Sequence, residues 1–188
     1  MFTRRPNKGG GLLPYVSSLF FGIKMLDNKF FVFEGMDGSG KTTIVKMVAD
    51  KLRAEGYDVI TSREPGGTPE GEKFRSIILG PKEAEYHSMT YMFLLNASRM
   101  ELVDKLIKPS LEKGKVVLLD RYVDSTIVYQ GYVDKTSPEA RQEVLDTIMN
   151  IHRSVIKLEP NTTFLVRTKP DLVEKRIIDR GEVNNLDQ

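Results

Sequence analysis

Residues Lys29 to Thr43 read KFFVFEGMDGSGKTT, and this stretch decides the fold. Its first part, KFFVFE, is a short apolar and aromatic run of the kind that forms a buried strand. Gly35-Met36-Asp37-Gly38-Ser39-Gly40-Lys41-Thr42 then matches the spacing G-x-x-x-x-G-K-[ST]. A helix is expected from about Thr42 to Glu55, with Ile44, Val45, Val48 and Leu52 on one face and Gly56 at its C-terminal cap. A strand before the loop and a helix after it are the context this phosphate-binding motif requires. Glycines let the backbone curl so that successive N–H groups face phosphate oxygens. The helix N-terminus adds its partial positive charge. Lys41 is placed to reach the β- and γ-phosphates, and the Thr42 hydroxyl to ligate Mg²⁺. Gly35, Met36, Asp37, Gly38, Ser39, Gly40, Lys41, Thr42 and Thr43 therefore form a candidate site for ATP and Mg²⁺.

Outward from this loop, strands and helices alternate. Asp58–Ser62 reads as a second strand, followed by a loop with Pro65, Gly66 and Gly67 and a helix over Pro69–Leu79. Ser88–Lys113 reads as a long helix bent near Pro109. Lys115–Asp120 (KVVLLD) is another buried strand, and its terminal Asp120 is the candidate carboxylate on the Mg²⁺ side. Ser137 and Pro138 form an N-cap and first-turn pair for a helix to about His152. Thr162–Val166 is a fourth strand and Pro170–Asp179 a last helix. The alternation predicts a three-layer α/β/α P-loop fold with a central parallel sheet.

The chain has 188 residues, enough for one sizeable core, and a net charge of +2. Arg4, Arg5, Lys8 and Lys24 give the first 24 residues +4 with no acid, so the body sums to −2. A body without basic excess argues against a nucleic-acid partner. The absence of cysteine excludes disulfides and thiolate metal sites and fits a cytoplasmic protein. The apolar stretch Leu12–Ile23 is interrupted by Pro14, Ser17 and Ser18 and is short for a bilayer span, which needs ~20 residues. Residues 1–24 are expected as a disordered leader, with Met25 as a candidate start, and residues 25–188 as the catalytic domain. Asn28-Lys29-Phe30-Phe31 lacks the Asp of the N-K-x-D element by which signalling GTPases read guanine.

Three further clusters narrow the choice: Arg63-Glu64-Pro65-Gly66-Gly67-Thr68, Asn96-Ala97-Ser98-Arg99, and DRYVDSTIVYQGY from Asp120 to Tyr132. With the phosphate loop, in this order from Lys29 to Gln188, they resemble the thymidylate kinase family. The resemblance implies a nucleoside monophosphate kinase that moves the γ-phosphoryl of ATP to dTMP and forms homodimers through its long helices. It places Arg63 and Arg121 on the acceptor phosphate and Asp37 near the acceptor sugar and metal. It places Arg99 on the thymine edge, and Thr126 and Gln130 on the base. Ser125 belongs to the same signature, and Tyr129 would pack where a 2′-hydroxyl would project. Arg180 would supply charge from a lid over ATP at residues 180–188.

Physical chemistry fits this resemblance. Joining two polyanions needs convergent cations, and the arginine fork binds phosphate oxygens bidentately. Arg63 and Arg121 both follow strand ends, the sheet edge where ligands bind in open parallel sheets. A phosphate acceptor has a second pKa of about 6, so transfer to it needs alignment rather than a general base. His87 and His152 are accordingly expected to be ordinary surface or helix residues.

The sequence departs from the family pattern at three places. Leu95 stands where a Phe usually stacks on thymine, which bears on base preference. Asn185 stands where the lid usually holds another arginine, and the chain ends at Gln188 within or just after the lid. These departures keep two alternatives open: a deoxynucleoside kinase using Glu64 as base, and a nucleotide-binding relative with weak catalysis.

Overall fold

The computed structural model describes residues 29–80, 86–132 and 137–180. The expected leader, the lid residues 181–188 and Asn185 lie outside these residues. Strand β1 (Phe30–Glu34) leads to α1 (Lys41–Ala54), β2 (Val59–Arg63) and α2 (Pro69–Leu79). Helix α3 (Ser88–Leu102), a π-helical segment (Val103–Ile107) and α4 (Lys108–Glu112) return the chain to β3 (Val116–Asp120). Then follow α5 (Val123–Gly131), α6 (Pro138–Ile151), a second π segment (His152–Ile156), β4 (Thr162–Leu165) and α7 (Pro170–Arg180).

The four strands are parallel in the order β2-β3-β1-β4. Every residue of β1 and β3 is buried, as continuous apolar runs in the middle of a two-sided sheet should be. The strand period of two sends alternate residues to opposite layers. Phe30, Val32, Val117 and Leu119 pack with Met92 and Leu102 of α3, Tyr122, and Ile148 of α6. Phe31, Phe33, Val116 and Leu118 pack instead on Val45, Val48, Ala49 and Leu52 of α1. The helix after β1 and the helix after β3 thus lie on opposite faces. Their N-termini diverge at the C-terminal ends of two neighbouring strands, which is where such sheets open a crevice.

Most expected elements form. Thr68 caps α2 by accepting from Gly71 N, and Ser137 caps α6 by accepting from Ala140 N, with Pro at the first position of each helix. Two points differ. The expected Ser88–Lys113 helix is interrupted at Val103–Ile107 by wider π-type turns. Pro109 sits in the first turn of the segment that follows. Proline has no N–H to donate four residues back, so the turn before it must rearrange. Helix α5 was not anticipated between the DRY cluster and Ser137. His152, expected as an ordinary surface or helix residue, is a helix residue and is fully buried, its ring edge-on to Tyr122. His87 is the exposed N-cap of α3. Among the described residues no helix is long and apolar enough to cross a membrane.

Candidate active site

Four strand ends deliver the site. The loop after β1 turns at Gly38 (φ 75°) and Gly40 (φ 96°), and Gly40 serves as the left-handed N-cap of α1. These angles suit glycine and strain other residues. Gly35 is needed for space: a Cβ there would lie 2.5 Å from the Val166 carbonyl oxygen just past β4. The loop is also held from the β4 side. Thr168 Oγ1 donates to Ser39 O at 2.9 Å, and Arg176 Nη1 donates to Gly38 O at 3.0 Å. Lys41 is buried and folds over its own loop, donating to Gly35 O (2.8 Å) and Met36 O (2.9 Å). Thr42 Oγ1 donates to Asp120 Oδ2 at 2.7 Å, joining the first turn of α1 to the end of β3.

Charge concentrates around this loop. Lys41, Arg63, Arg75 and Arg121 line one basin together with Asp37, Glu64 and Asp120. Burial and the neighbouring Arg121 charge push Lys41 below its ordinary pKa. Burial and the Arg63 charge do the same to Arg75. Cations crowded in this way gain from an incoming anion. Thr42 hydroxyl, Asp120 and Asp37 are hard oxygen donors suited to Mg²⁺. No group of three or more His, Cys, Asp or Glu that could hold a metal ion occurs among the described residues.

Arg121 is the hinge of the site. It is a non-glycine residue with φ 72°, directly after β3. Its Nη2 donates to Asp37 Oδ1 at 2.6 Å, its Nη1 donates to Ser125 Oγ at 2.9 Å, and its guanidinium lies 5.5 Å from the Tyr129 ring centroid. Beneath it, buried Glu34 accepts from Tyr122 N (2.7 Å), Ser125 N (3.3 Å) and Ser125 Oγ (2.7 Å). Burial raises the Glu34 pKa above its ordinary value against the pull of these donors.

A cleft adjoins the basin, between α2, α3 and α5. Pro65, Leu79, Leu95 and Tyr129 give it apolar walls. Arg75, Arg99, Arg121, Thr126 and Gln130 give it polar groups. Arg99 is 1% exposed, and its Nη2 donates to Glu64 Oε2 (2.7 Å) and Thr126 Oγ1 (2.9 Å). Its guanidinium also lies 5.1 Å from the Tyr122 ring centroid. Gln130 is buried, and its side-chain oxygen accepts no hydrogen bond among the described residues. Leu95 lines the cleft whereas Phe93, two residues earlier on the helix, is 56% exposed.

The structure thus brings together Asp37, Leu95, Arg99, Arg121, Ser125, Thr126, Tyr129 and Gln130 in the cleft and Lys41, Thr42, Thr43 and Asp120 in the basin. Within the loop, Ser39 is buried and Met36 is exposed. Arg63 lines the basin but not the cleft, and its Nη2 pairs with Glu72 Oε2 at 3.3 Å. Arg180 ends α7. Sequence reasoning passed over Arg75, which lines both spaces and donates to Pro65 O at 2.7 Å. Its signal was present: Gly71, Arg75 and Leu79 recur every four residues on one face of the Pro69–Leu79 helix. Glu34 and the loop contact of Arg176 were passed over as well.

A parallel α/β sheet with a phosphate cradle at its C-terminal edge and a charged cleft beside it defines a P-loop nucleotide-binding enzyme of the phosphotransferase type. Comparison with known proteins narrows this. The Thymidylate kinase family model matches residues 33–188. A thymidylate kinase of Exiguobacterium sibiricum is 39% identical over 160 residues, covering 85% of this chain and 72% of that protein. One of Caldanaerobacter subterraneus subsp. tengcongensis is 42% identical over 149 residues, covering 79% of this chain and 68% of that protein. The crystal structure of thymidylate kinase from Ehrlichia chaffeensis superposes with a TM-score of 0.61 at 35% identity, over 81% of this chain and 83% of that one. The chain belongs to the thymidylate kinase family.

Proposed function

We propose that this protein transfers the γ-phosphoryl group of ATP to dTMP, giving dTDP. One observation carries the reading: Asp37, Glu64, Arg75 and Arg121 line both the donor basin and the acceptor cleft. The two spaces therefore share one wall of charge, across which a phosphoryl group can pass.

Each residue has a physical role in this scheme. The loop from Gly35 to Thr43 holds the donor phosphates by its N–H groups, and Lys41 leaves the Gly35 and Met36 carbonyls to reach them. Thr42 and Asp120 would hold Mg²⁺, with Asp37 close by, and the ion would supply neutralisation of developing charge. Arg121, Arg75 and Arg63 align the acceptor phosphate. Because that phosphate is already ionised, no proton need be removed at the nucleophile. Leu95 packs on the base, while Arg99, Thr126 and Gln130 read its edge. Tyr129 occupies the space beside the sugar and favours deoxyribose. Residues 25–188 form the kinase domain in this reading.

The alternative reaction, on a nucleoside, would need Glu64 as base. Both Glu64 oxygens accept from Arg99 Nε, at 3.1 and 2.9 Å, which leaves that carboxylate engaged. Ile77, Phe93 and Met100 are exposed on α2 and α3, and their apolar surface supports a homodimer. Sedimentation of the purified protein tests that assembly.

The decisive assay mixes the protein with Mg²⁺·ATP and each of dTMP, dGMP, dUMP and thymidine and follows ADP. Turnover with dTMP above the rest is expected. Preferred turnover of thymidine would overturn the reading.

A further inference from the structure

The carboxylate of Glu34 serves no step above, yet it is 6% exposed and takes three hydrogen bonds from one place, the β3–α5 turn. Helix α5 begins at Val123, and its N-cap Tyr122 has no side chain able to cap it. The Glu34 oxygens accept from Tyr122 N and Ser125 N instead, so a residue from a neighbouring strand closes that helix start. Negative charge at a helix N-terminus is favourable on electrostatic grounds as well.

The third bond reaches further. Ser125 Oγ donates to Glu34 Oε2 at 2.7 Å and accepts from Arg121 Nη1 at 2.9 Å. A hydroxyl has one proton, so giving it to Glu34 leaves its lone pairs turned to Arg121. The Glu34 Oε2 acceptor therefore sets the direction of the Ser125 hydroxyl, and the hydroxyl sets one edge of the guanidinium. The other edge is held by Asp37, which belongs to the phosphate loop that begins one residue after Glu34. The backbone at Arg121 is in the left-handed region, a conformation that persists only when its surroundings fix it. Arg121 N donates to Phe33 O at 3.0 Å, one residue before Glu34, which adds a backbone tie to the same strand end.

We propose that Glu34 is a positioning residue for phosphoryl transfer: through Ser125 it fixes the Arg121 guanidinium against the acceptor phosphate and locks the acceptor wall to the strand that carries the donor loop. This rests on the reading of Arg121 as an acceptor-phosphate ligand.

Glu34→Gln separates the parts. Its amide oxygen still accepts from the two N–H groups, but its NH₂ cannot accept the Ser125 proton. The Ser125 hydroxyl must then turn, and its proton competes with Arg121. The experiment measures wild type first, then Glu34→Gln, Ser125→Ala and the double variant, recording KM for dTMP, kcat, melting temperature and ATP affinity by equilibrium binding. The expected result is a dTMP KM raised about tenfold in each single variant, the loss typical of one hydrogen bond to a charged group. ATP affinity should stay within twofold, and the double variant should be no worse than the worse single one, because both changes cut the same relay. A dTMP KM within twofold of wild type in folded Glu34→Gln overturns the proposal. So does a loss of ATP affinity in step with KM, which marks a merely structural role. If Glu34→Gln does not fold, Ser125→Ala decides alone, and an unchanged dTMP KM overturns it. A wild-type protein that turns over no monophosphate refutes the acceptor reading itself, and that result is in hand before any variant is compared.

Discussion

Arg99 Nη2 lies 2.7 Å from Glu64 Oε2, with the two side chains only 1% and 4% exposed. This pair ties α3 to the end of β2 beneath the acceptor cleft. Burial pushes the Glu64 carboxyl above its ordinary pKa, and the Arg99 charge opposes that push. Removing one partner of such a pair strands the other as a buried charge.

Glu64→Ala should therefore lower unfolding stability by about 3–5 kcal/mol, since Arg99 cannot discharge. Urea unfolding at neutral pH measures it, and a loss below about 1 kcal/mol would count against this account. Arg99→Met should cost less at acidic pH than at neutral pH, because the stranded Glu64 can take up a proton.

Lys41→Ala should cut turnover by at least about 10²-fold, the scale for losing one preorganised charge at a reacting centre. The fold should survive, because the Lys41 ammonium bonds to the Gly35 and Met36 carbonyls and pairs with Asp37, all within its own loop. Full activity in a variant with a wild-type melting temperature would sink the phosphate-loop assignment.

Arg75 and Arg63 should separate by substrate. Arg75 lines the cleft and the basin, whereas Arg63 lines the basin and is paired with Glu72. Arg75→Ala is expected to raise the dTMP KM by about tenfold or more, and Arg63→Ala by less. Steady-state kinetics of both variants test the order; the reverse order rejects the placement.

Leu95→Phe should tighten dTMP binding, because a ring on that wall stacks on a base where Leu offers only packing. An unchanged KM with normal folding would show that Leu95 is not the base platform.

Glu34 also predicts a pH dependence. Its folded pKa is raised above the ordinary 4.5 by burial. Its contribution to stability is thus fully present below about pH 4.5 and is lost as pH rises through the higher folded value. Glutamine does not titrate. The melting temperature of Glu34→Gln minus that of wild type should therefore increase from pH 4.5 to pH 8. A flat or falling difference would contradict the raised pKa.

The sequence alone determined the sheet, the loop and the direction of the chemistry. KFFVFE and KVVLLD are apolar without interruption, which only a strand covered on both faces explains, and glycine spacing together with Lys41 and Thr42 carries the phosphate cradle in local geometry. These are short-range properties, so a linear reading reaches them. What the tertiary structure decided is which groups face each other across long separations. Glu34 meets Ser125 and Asp37 meets Arg121 because parallel pairing of β1 with β3 puts their C-terminal ends side by side. The same pairing gathers Arg121 and Asp37 at one wall, while the turn of α2 brings Arg75 into the cleft and leaves Arg63 beside Glu72. His152, unremarkable in sequence, is buried because the π segment after α6 turns it inward onto Tyr122. Strand pairing and helix packing, fixed by the burial of both sheet faces, choose these partners; apart from the four-residue spacing of Gly71, Arg75 and Leu79, no spacing in the chain records them.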